Sequence, residues 1–345
     1  MRKRLLLTGC AGFSGPHIAQ HILHGTDWEV IGLDRLSYAG SLERLRSTRE
    51  EFGDRFKFVF HDFRAAFPSS VLHMLEGVSY VIHAGAETHV ERSLQNPLPF
   101  VESNVLGTLH VLNAARNLGV EHFILVSTDE VHGPAPDGVS FGEGATIRPS
   151  NPYSATKAGA EGLAYSYWKS YRLPVTITRT MNLFGEMQHP EKFIPMCIRK
   201  IRDGEVVTIH GTPDGKSGSR KWLHARNQAD ALLFLLKCAG AHDYTLDEQL
   251  WYCGHDPIVG ETFHIAGEEH TNLEIAQFIA ADMGKELRYE LVDFHRTRPG
   301  HDARYSLDDS KLRSTGWHPP VEFRESLRRT VEWTLRKENE KWLLP

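Results

Sequence analysis

A chain of 345 residues, 41% of them hydrophobic and 24% charged, is long enough to bury a full core and to carry a smaller appended region. Its net charge of -5 leaves no basic surplus, which argues against a nucleic-acid binder, and no apolar run reaches the roughly 18–20 residues needed to span a bilayer. Cys10, Cys197, Cys238 and Cys253 lie far apart with no Cys-x-x-Cys pair, so neither a disulfide framework nor a zinc site is expected, and a reducing cytoplasm is the default location.

Arg2, Lys3 and Arg4 precede an apolar run, but Thr8-Gly9 ends it at Leu7, short of the roughly 7–15 residues of a signal-peptide core. The run reads as a first buried strand, Arg4–Thr8. Further strands are expected at Glu29–Asp34, Lys57–Asp62, Tyr80–Ala84, Phe123–Ser127 and Val175–Arg179, with amphipathic helices at Phe100–Leu118 and Ser154–Tyr171. His17, His21 and His24 share a helical face but lack a carboxylate or cysteine in ligand spacing, so they read as packing or surface residues, and no metal is expected. The stretch Arg44–Glu51 mixes both charge signs and reads as solvated helix surface.

This alternation predicts an α/β fold: a Rossmann-type, doubly wound parallel sheet over residues 1–185. Beyond residue 185, prolines and the Gly/Ser/Lys-rich stretch Gly211–Ser219 loosen the rhythm. Residues 186–345 are therefore assigned mainly to a smaller substrate-binding region, from which 226–240, with a helix at Asn227–Cys238, packs back on the sheet. Residues 240–262 read as a long loop, and Phe323–Trp342 as an amphipathic helix.

Directly after the first strand, Thr8-Gly9-Cys10-Ala11-Gly12-Phe13-Ser14-Gly15 opens a helix with the pattern G-x-x-G-x-x-G. Glycines there let the backbone turn tightly and approach a dinucleotide's diphosphate at the helix N-terminus. Gly9, Gly12, Phe13, Ser14 and Gly15 are thus cofactor candidates. Asp34 ends the second strand, where an acid accepts hydrogen bonds from the adenosine ribose and repels the extra phosphate of NADP. NAD is the expected cofactor, and Arg35 beside Asp34 is the residue that argues the other way. Asp62 suits either a strand-end turn or an adenine contact.

Tyr153-Ser-Ala-Thr-Lys157 places a phenol and an ammonium four residues apart, on one face of a helix. A neighbouring cation favours the phenolate and lowers a pKa that is ordinarily about 10. Thr128, at the end of the fifth strand, adds a hydroxyl that shares the proton.

With these residues in hand, the chain resembles the extended short-chain dehydrogenases, and within them the dTDP-glucose 4,6-dehydratases. The resemblance runs through Thr8–Gly15, Leu33–Leu42, His83–Ser93, Ser127–Gly133, Asn151–Glu161, Pro190–Pro195 and Arg298–Asp302. It implies a nucleotide-sugar lyase in which Tyr153, Lys157 and Thr128 serve C4 oxidation by NAD. Asp129 is then the acid and Glu130 the base that remove water across C5–C6, before hydride returns to C6 to give a 4-keto-6-deoxyhexose. The implied substrate is dTDP- or UDP-glucose-like. The resemblance also puts Ala84 at the cofactor, Glu87 and Thr88 near the sugar, Asn182 at the sugar or the diphosphate, and Lys192, Arg220, Arg298 and His301 around the nucleotide diphosphate. It implies a homodimer paired through the helices Phe100–Leu118 and Ser154–Tyr171. A 4-epimerase, decarboxylase or 5,6-dehydratase on the same fold, and a non-enzymatic NAD sensor, are the alternatives. Departures from the family pattern, such as His132 where tyrosine is usual and Lys221–Gln228, fall in the substrate half.

Overall fold

Leu5, Leu6 and Leu7 are all fully buried, so strand β1 (Arg4–Thr8) is covered on both faces, as an interior strand of a parallel sheet must be. The computed structural model describes residues 2–211, 215–240, 258–293 and 304–344. Around β1 stand β2 (Glu29–Asp34), β3 (Phe56–Phe60), β4 (Tyr80–His83), β5 (His122–Thr128) and β6 (Val175–Thr180). These bounds differ from the expected ones by one or two residues, the scale on which strand ends fray.

All neighbours in this sheet are parallel, in the order β3-β2-β1-β4-β5-β6. The expected doubly wound Rossmann-type sheet is therefore present. A seventh strand, Thr262–Ile265, adds to β6 at the far edge, although its sequence lies where a loop was expected to end. Most of that expected loop, residues 241–257, lies outside the described residues.

Helices cover both faces. Ile18 and Ile22 of Ser14–Gly25 pack with Leu232, Leu233 and Leu236 of Ala225–Gly240 on one side. Val111, Leu112 and Ala115 of Gly107–Leu118 pack with Ala160 and Ala164 of Pro152–Tyr171 on the other. The expected helix Phe100–Leu118 is not uniform: a π-helical turn, Val101–Leu106, precedes Gly107–Leu118. A further cluster joins Phe193–Asp203, Asn272–Asp282 and Phe323–Thr334. The predicted helix Phe323–Trp342 breaks at Arg336, whose backbone is extended (ψ 139°), and resumes as the 3-10 segment Lys337–Leu343, which tucks Leu343 into that cluster. Among the described residues, no helix is long and apolar enough to cross a membrane.

Short strands form a second layer: Asn182–Phe184 (β7) and Glu268–Thr271 flank Ser219–His224. Tyr289–Asp293 pairs with Val207–Gly211. The three candidate metal-helix histidines have separate partners. His17 packs against Phe13 and His224, His21 meets Asp230, and His24 lies near Glu51 and Phe52.

Between β6 and the helix Pro152–Tyr171 lies a buried ion pair. Arg179 and Glu161 are each 4% exposed, and the guanidinium spans both carboxylate oxygens at 2.8–3.2 Å. Its Nη1 also points at His132 Nε2 (3.0 Å) and His264 Nε2 (3.4 Å). Arginine only donates, so both imidazoles must accept there, and their Nδ1–H groups donate to the carbonyls of Thr146 and Asp308. Burial, with the charge of Arg179 second, pushes both histidines down, His264 to about 3, and keeps them neutral. Removing one member of such a pair strands the other. Arg179→Met is expected to cost about 3–5 kcal/mol in urea unfolding, and adding Glu161→Leu should recover much of that loss. A single variant as stable as the parent would show that the pair does not brace this helix.

Candidate active site

Where the strand order reverses between β1 and β4, the carboxyl ends of β1, β2, β4, β5 and β6 open onto one cavity of about 330 Å³. Open parallel sheets bind ligands at this reversal point. The glycine turn forms its floor. Gly9 has φ +72°, and a Cβ there would lie 2.7 Å from the Cα of Gly85 across the reversal. A Cβ on Gly15 would fall 2.3 Å from the Cys10 carbonyl oxygen, so this position, just under the cavity wall, admits only glycine. Thr8 secures the two strand ends: its hydroxyl bonds His83 Nδ1 at 2.6 Å and accepts the Gly85 N–H.

Asp34 lines the cavity, but it is also a structural anchor. One carboxylate oxygen accepts the Ala11 N–H at 3.0 Å and the other the Leu36 N–H at 2.8 Å, tying the glycine turn to the loop after β2. A carboxylate has about four acceptor sites, so two backbone bonds leave capacity for ribose hydroxyls. Arg35 is engaged by Glu87 and lies 4.0 Å from Asp62. Asp62 itself is held by Arg64 at 2.6 Å and does not line the cavity. The backbone cradle, the acid at the end of β2 and the apolar Phe13, Ala84 and Val126 in the wall fit a dinucleotide.

At the other end, five chemically active side chains converge. Asn151 starts the helix Pro152–Tyr171 with a capping box: Oδ1 accepts the Ser154 N–H at 2.9 Å, the Ser154 hydroxyl reciprocates, and Pro152 fills the first turn. That places Tyr153 and Lys157 on one face, both buried and both in the cavity wall. The remaining amide of Asn151 donates to Glu130 Oε2 at 3.0 Å. Thr128 donates to Asp129 Oδ1 at 3.0 Å, accepts the Glu130 N–H at 3.3 Å and is hydrogen-bonded to Tyr153. Thr128, Asp129, Glu130 and Tyr153 thus form one connected group, and Lys157 lines the same wall.

Its electrostatics are set by burial. Desolvation, with the Glu130 charge second, raises Asp129 to about 7, and its second oxygen, Oδ2, is buried with no hydrogen-bond partner. Burial and then Glu130 also push the Tyr153 phenol well up. Lys157 donates to the Val126 carbonyl at 2.7 Å, and burial lowers it to about 8. The lowering of the phenol that the Tyr/Lys spacing promised is therefore not supplied by these side chains alone.

Glu87, Thr88, Asn182 and Lys192 also line the cavity. Arg220 lies outside that wall, on β9 (Ser219–His224) over the Tyr305 ring, although its charge reaches Asp129. Arg298 and His301 lie outside the described residues. Two contributors were missed in the sequence. Asn151 was legible as a cap, since Asn-Pro-x-Ser is a helix-start signature. Arg44 was misread: it is 4% exposed, not solvated, because three backbone carbonyls take its donors.

A sequence model of the family described as GDP-mannose 4,6 dehydratase matches residues 6–330. The low-salt glycan biosynthesis protein Agl12 of Haloferax volcanii is 36% identical over 332 residues, 96% of this chain and 98% of that one. The mouse dTDP-D-glucose 4,6-dehydratase is 34% identical over 341 residues, covering 99% and 90%. The crystal structure of DesIV, a dTDP-glucose 4,6-dehydratase of Streptomyces venezuelae with NAD bound, is similar with a TM-score of 0.83 and 37% identity over 98% of both chains. Sequence and fold agree from end to end: the chain belongs to the GDP-mannose 4,6 dehydratase family, on the extended short-chain dehydrogenase fold.

Proposed function

We propose that this protein is an NAD-dependent hydro-lyase that converts a nucleoside diphosphate hexose, of the dTDP- or UDP-glucose type, to its 4-keto-6-deoxy product. The observation that carries this reading is the pairing of a buried, proton-retaining Asp129 with Glu130 beside Tyr153. An epimerase needs the redox pair but has no use for an acid that expels a C6 hydroxyl.

When bound, NAD supplies the hydride acceptor for C4 and the donor for C6, and its positive ring offsets the carboxylates that hold the Tyr153 proton. Tyr153 takes the C4 hydroxyl proton, with Thr128 sharing it and Lys157 as the adjacent positive charge. Once C4 is a ketone, the C5 proton becomes acidic, and Glu130, steadied by Asn151, removes it. Asp129 delivers its proton to the departing C6 oxygen, so water leaves. NAD, not NADP, fits because Arg35 is already engaged by Glu87, while Asp34 lines the cavity where it would meet the ribose hydroxyls. Residues 1–185 with 226–240 are the proposed cofactor and catalytic part, and 186–345 mainly the nucleotide-sugar part. In that part Lys192, Arg220, Arg298 and His301 serve the diphosphate, and Asn182, Glu87 and Thr88 the sugar. The free thiols of Cys10 and Cys197 suit the proposed reducing cytoplasm.

A second copy of the chain is the proposed partner. Leu98, Val101 and Leu106 are 61%, 45% and 40% exposed, and Tyr165 on the neighbouring helix is 48% exposed. Val101, Leu106 and Tyr165 sit on the two elements expected to pair, and Leu98 lies just before the first of them. Leu98→Asp with Tyr165→Asp should shift sedimentation from dimer to monomer; a parent that sediments as a monomer would discount this pairing.

Incubation with a panel of nucleotide sugars, followed by mass spectrometry, tests the reaction. Loss of one water is the expected outcome, whereas unchanged mass with a new stereoisomer, or loss of carbon dioxide, would replace this reading. Tyr153→Phe should lower turnover by roughly 10²–10⁴-fold with NAD still bound, and full activity in that variant would discredit the assignment.

Asp129 also predicts a pH dependence. As the acid, it loses its proton as pH rises through about 7, so a turnover limited by elimination should decline above that point. In stability the sign is unfavourable. The unfolded group ionises near the ordinary aspartate value of 3.8, whereas the folded one holds its proton to about 7, so stability is lost as pH climbs through that window. Asp129→Asn should therefore raise the melting temperature more at pH 8 than at pH 4 while abolishing dehydration. An equal effect at both pH values would count against the raised carboxyl.

A further inference from the structure

Arg44 is a buried cation in the cavity wall that the chemistry above leaves without a task. Its Nε donates to the Met187 carbonyl at 3.0 Å, and its Nη1 to those of Ala39 at 2.5 Å and Ala11 at 3.3 Å. These carbonyls take its Nε and Nη1 donors without neutralising its charge; among the described residues no carboxylate forms a contact ion pair with it, and the Asp34 carboxylate offsets its charge only in part. A charge taken from water without a counter-ion is costly. Ala11 immediately precedes Gly12, Phe13 and Ser14, which line the same cavity at the start of the helix Ser14–Gly25, and that helix has no acidic residue in its first turn. The positive end of a helix and a guanidinium in no contact ion pair therefore converge on the same backbone turn.

The other face of Arg44 is closed from far along the chain. The Trp342 ring centre lies 5.0 Å from its guanidinium carbon. Trp342 is held on both sides: Lys341 pairs with Glu43, next to Arg44, and Leu343 is fully buried in the cluster of Phe193–Asp203 and Phe323–Thr334.

We propose that Arg44 supplies the counter-charge for the diphosphate of NAD, and that segment 337–343 acts through Trp342 as a latch that keeps Arg44 there and slows loss of the cofactor. This rests on the NAD reading above. One side chain then joins the glycine turn, the loop after β2, the stretch following β7 and a segment about three hundred residues away, so opening the cradle requires breaking all of these contacts. An enzyme whose NAD is regenerated in each turnover gains from such retention.

The test is the rate at which NAD-loaded protein loses its cofactor on timed gel filtration, with bound NAD quantified by chromatography after acid release. Trp342→Ala should lose NAD about tenfold faster, as expected for removing one desolvated cation–π contact, and Trp342→Phe should fall between it and the parent. Arg44→Gln should lose NAD faster still and show a weaker salt dependence of NAD affinity, a charge signature that a purely structural change would not produce. Trp342 is only half-buried, so its variants keep the test open if Arg44→Gln fails to fold. Parent-like retention in Trp342→Ala would overturn the latch, and an unchanged salt dependence in a folded Arg44→Gln would overturn the counter-charge. If the parent chain itself binds no NAD, the cofactor reading falls, and the latch with it.

Discussion

The two halves of the site are joined by the side chain of one residue. Asn151 uses its carbonyl to start the helix that carries Tyr153 and Lys157, and its amide to hold Glu130 on the loop after β5. Those elements are separate in the chain, and nothing in a Rossmann-type sheet alone fixes the distance between a strand-end loop and a neighbouring helix. An N-cap suits this task because its side chain must already be immobile to satisfy the helix's free N–H groups. The group that positions Glu130 therefore requires no further ordering. Alanine there would remove the helix cap and the hydrogen bond to Glu130 together.

Around this junction the molecule accepts an electrostatic cost. Asp129 is buried next to a like charge, Lys157 is buried with Glu161 as the opposing charge acting on it, and Glu161 is itself committed to Arg179. Charges are placed in low dielectric where their protonation can be shifted, which is the condition for one site to run acid and base steps near neutrality. The neutral histidines at Arg179 contain that cost. They accept hydrogen bonds from the guanidinium without adding a second positive charge behind Lys157.

How much of this was legible in the sequence depended on whether the signal was local. The parallel sheet was legible because each strand is a short apolar run with its helix following in sequence. The glycine turn was legible because its geometry excludes side chains at fixed spacing. Tyr153 and Lys157 were placed by helical periodicity alone. What escaped depended on partners far along the chain. Thr262–Ile265 is a strand because β6 offers it an edge, not because its four residues declare one. Arg44 was read as a solvated charge since charge patterning counts neighbours in sequence, while the carbonyls of Ala11 and Met187 that bury it come from two other segments. The break at Arg336 likewise follows from where Leu343 finds its pocket.

The same distinction sorts the positions at which the chain departs from its relatives' pattern. His132 stands two residues after Glu130, close enough in sequence to count as a substrate residue. Its ring, however, is turned into the buried cluster, bonded to Arg179 and the Thr146 carbonyl, and is absent from the cavity wall. In the stretch Lys221–Gln228, Lys221 donates to the Leu307 carbonyl and His224 meets Glu186 at 3.1 Å, whereas Gln228 reaches the cavity. In Arg179–Gly185, Arg179 braces the catalytic helix while Thr180, Met181, Asn182 and Leu183 line the site. Substitution near the catalytic loop is thus largely a matter of scaffold. On the proposed reading, the residues of these stretches that reach the wall, Thr180, Met181, Asn182, Leu183 and Gln228, are the ones placed to select a sugar nucleotide, with Glu87, Thr88 and Lys192 in the same wall.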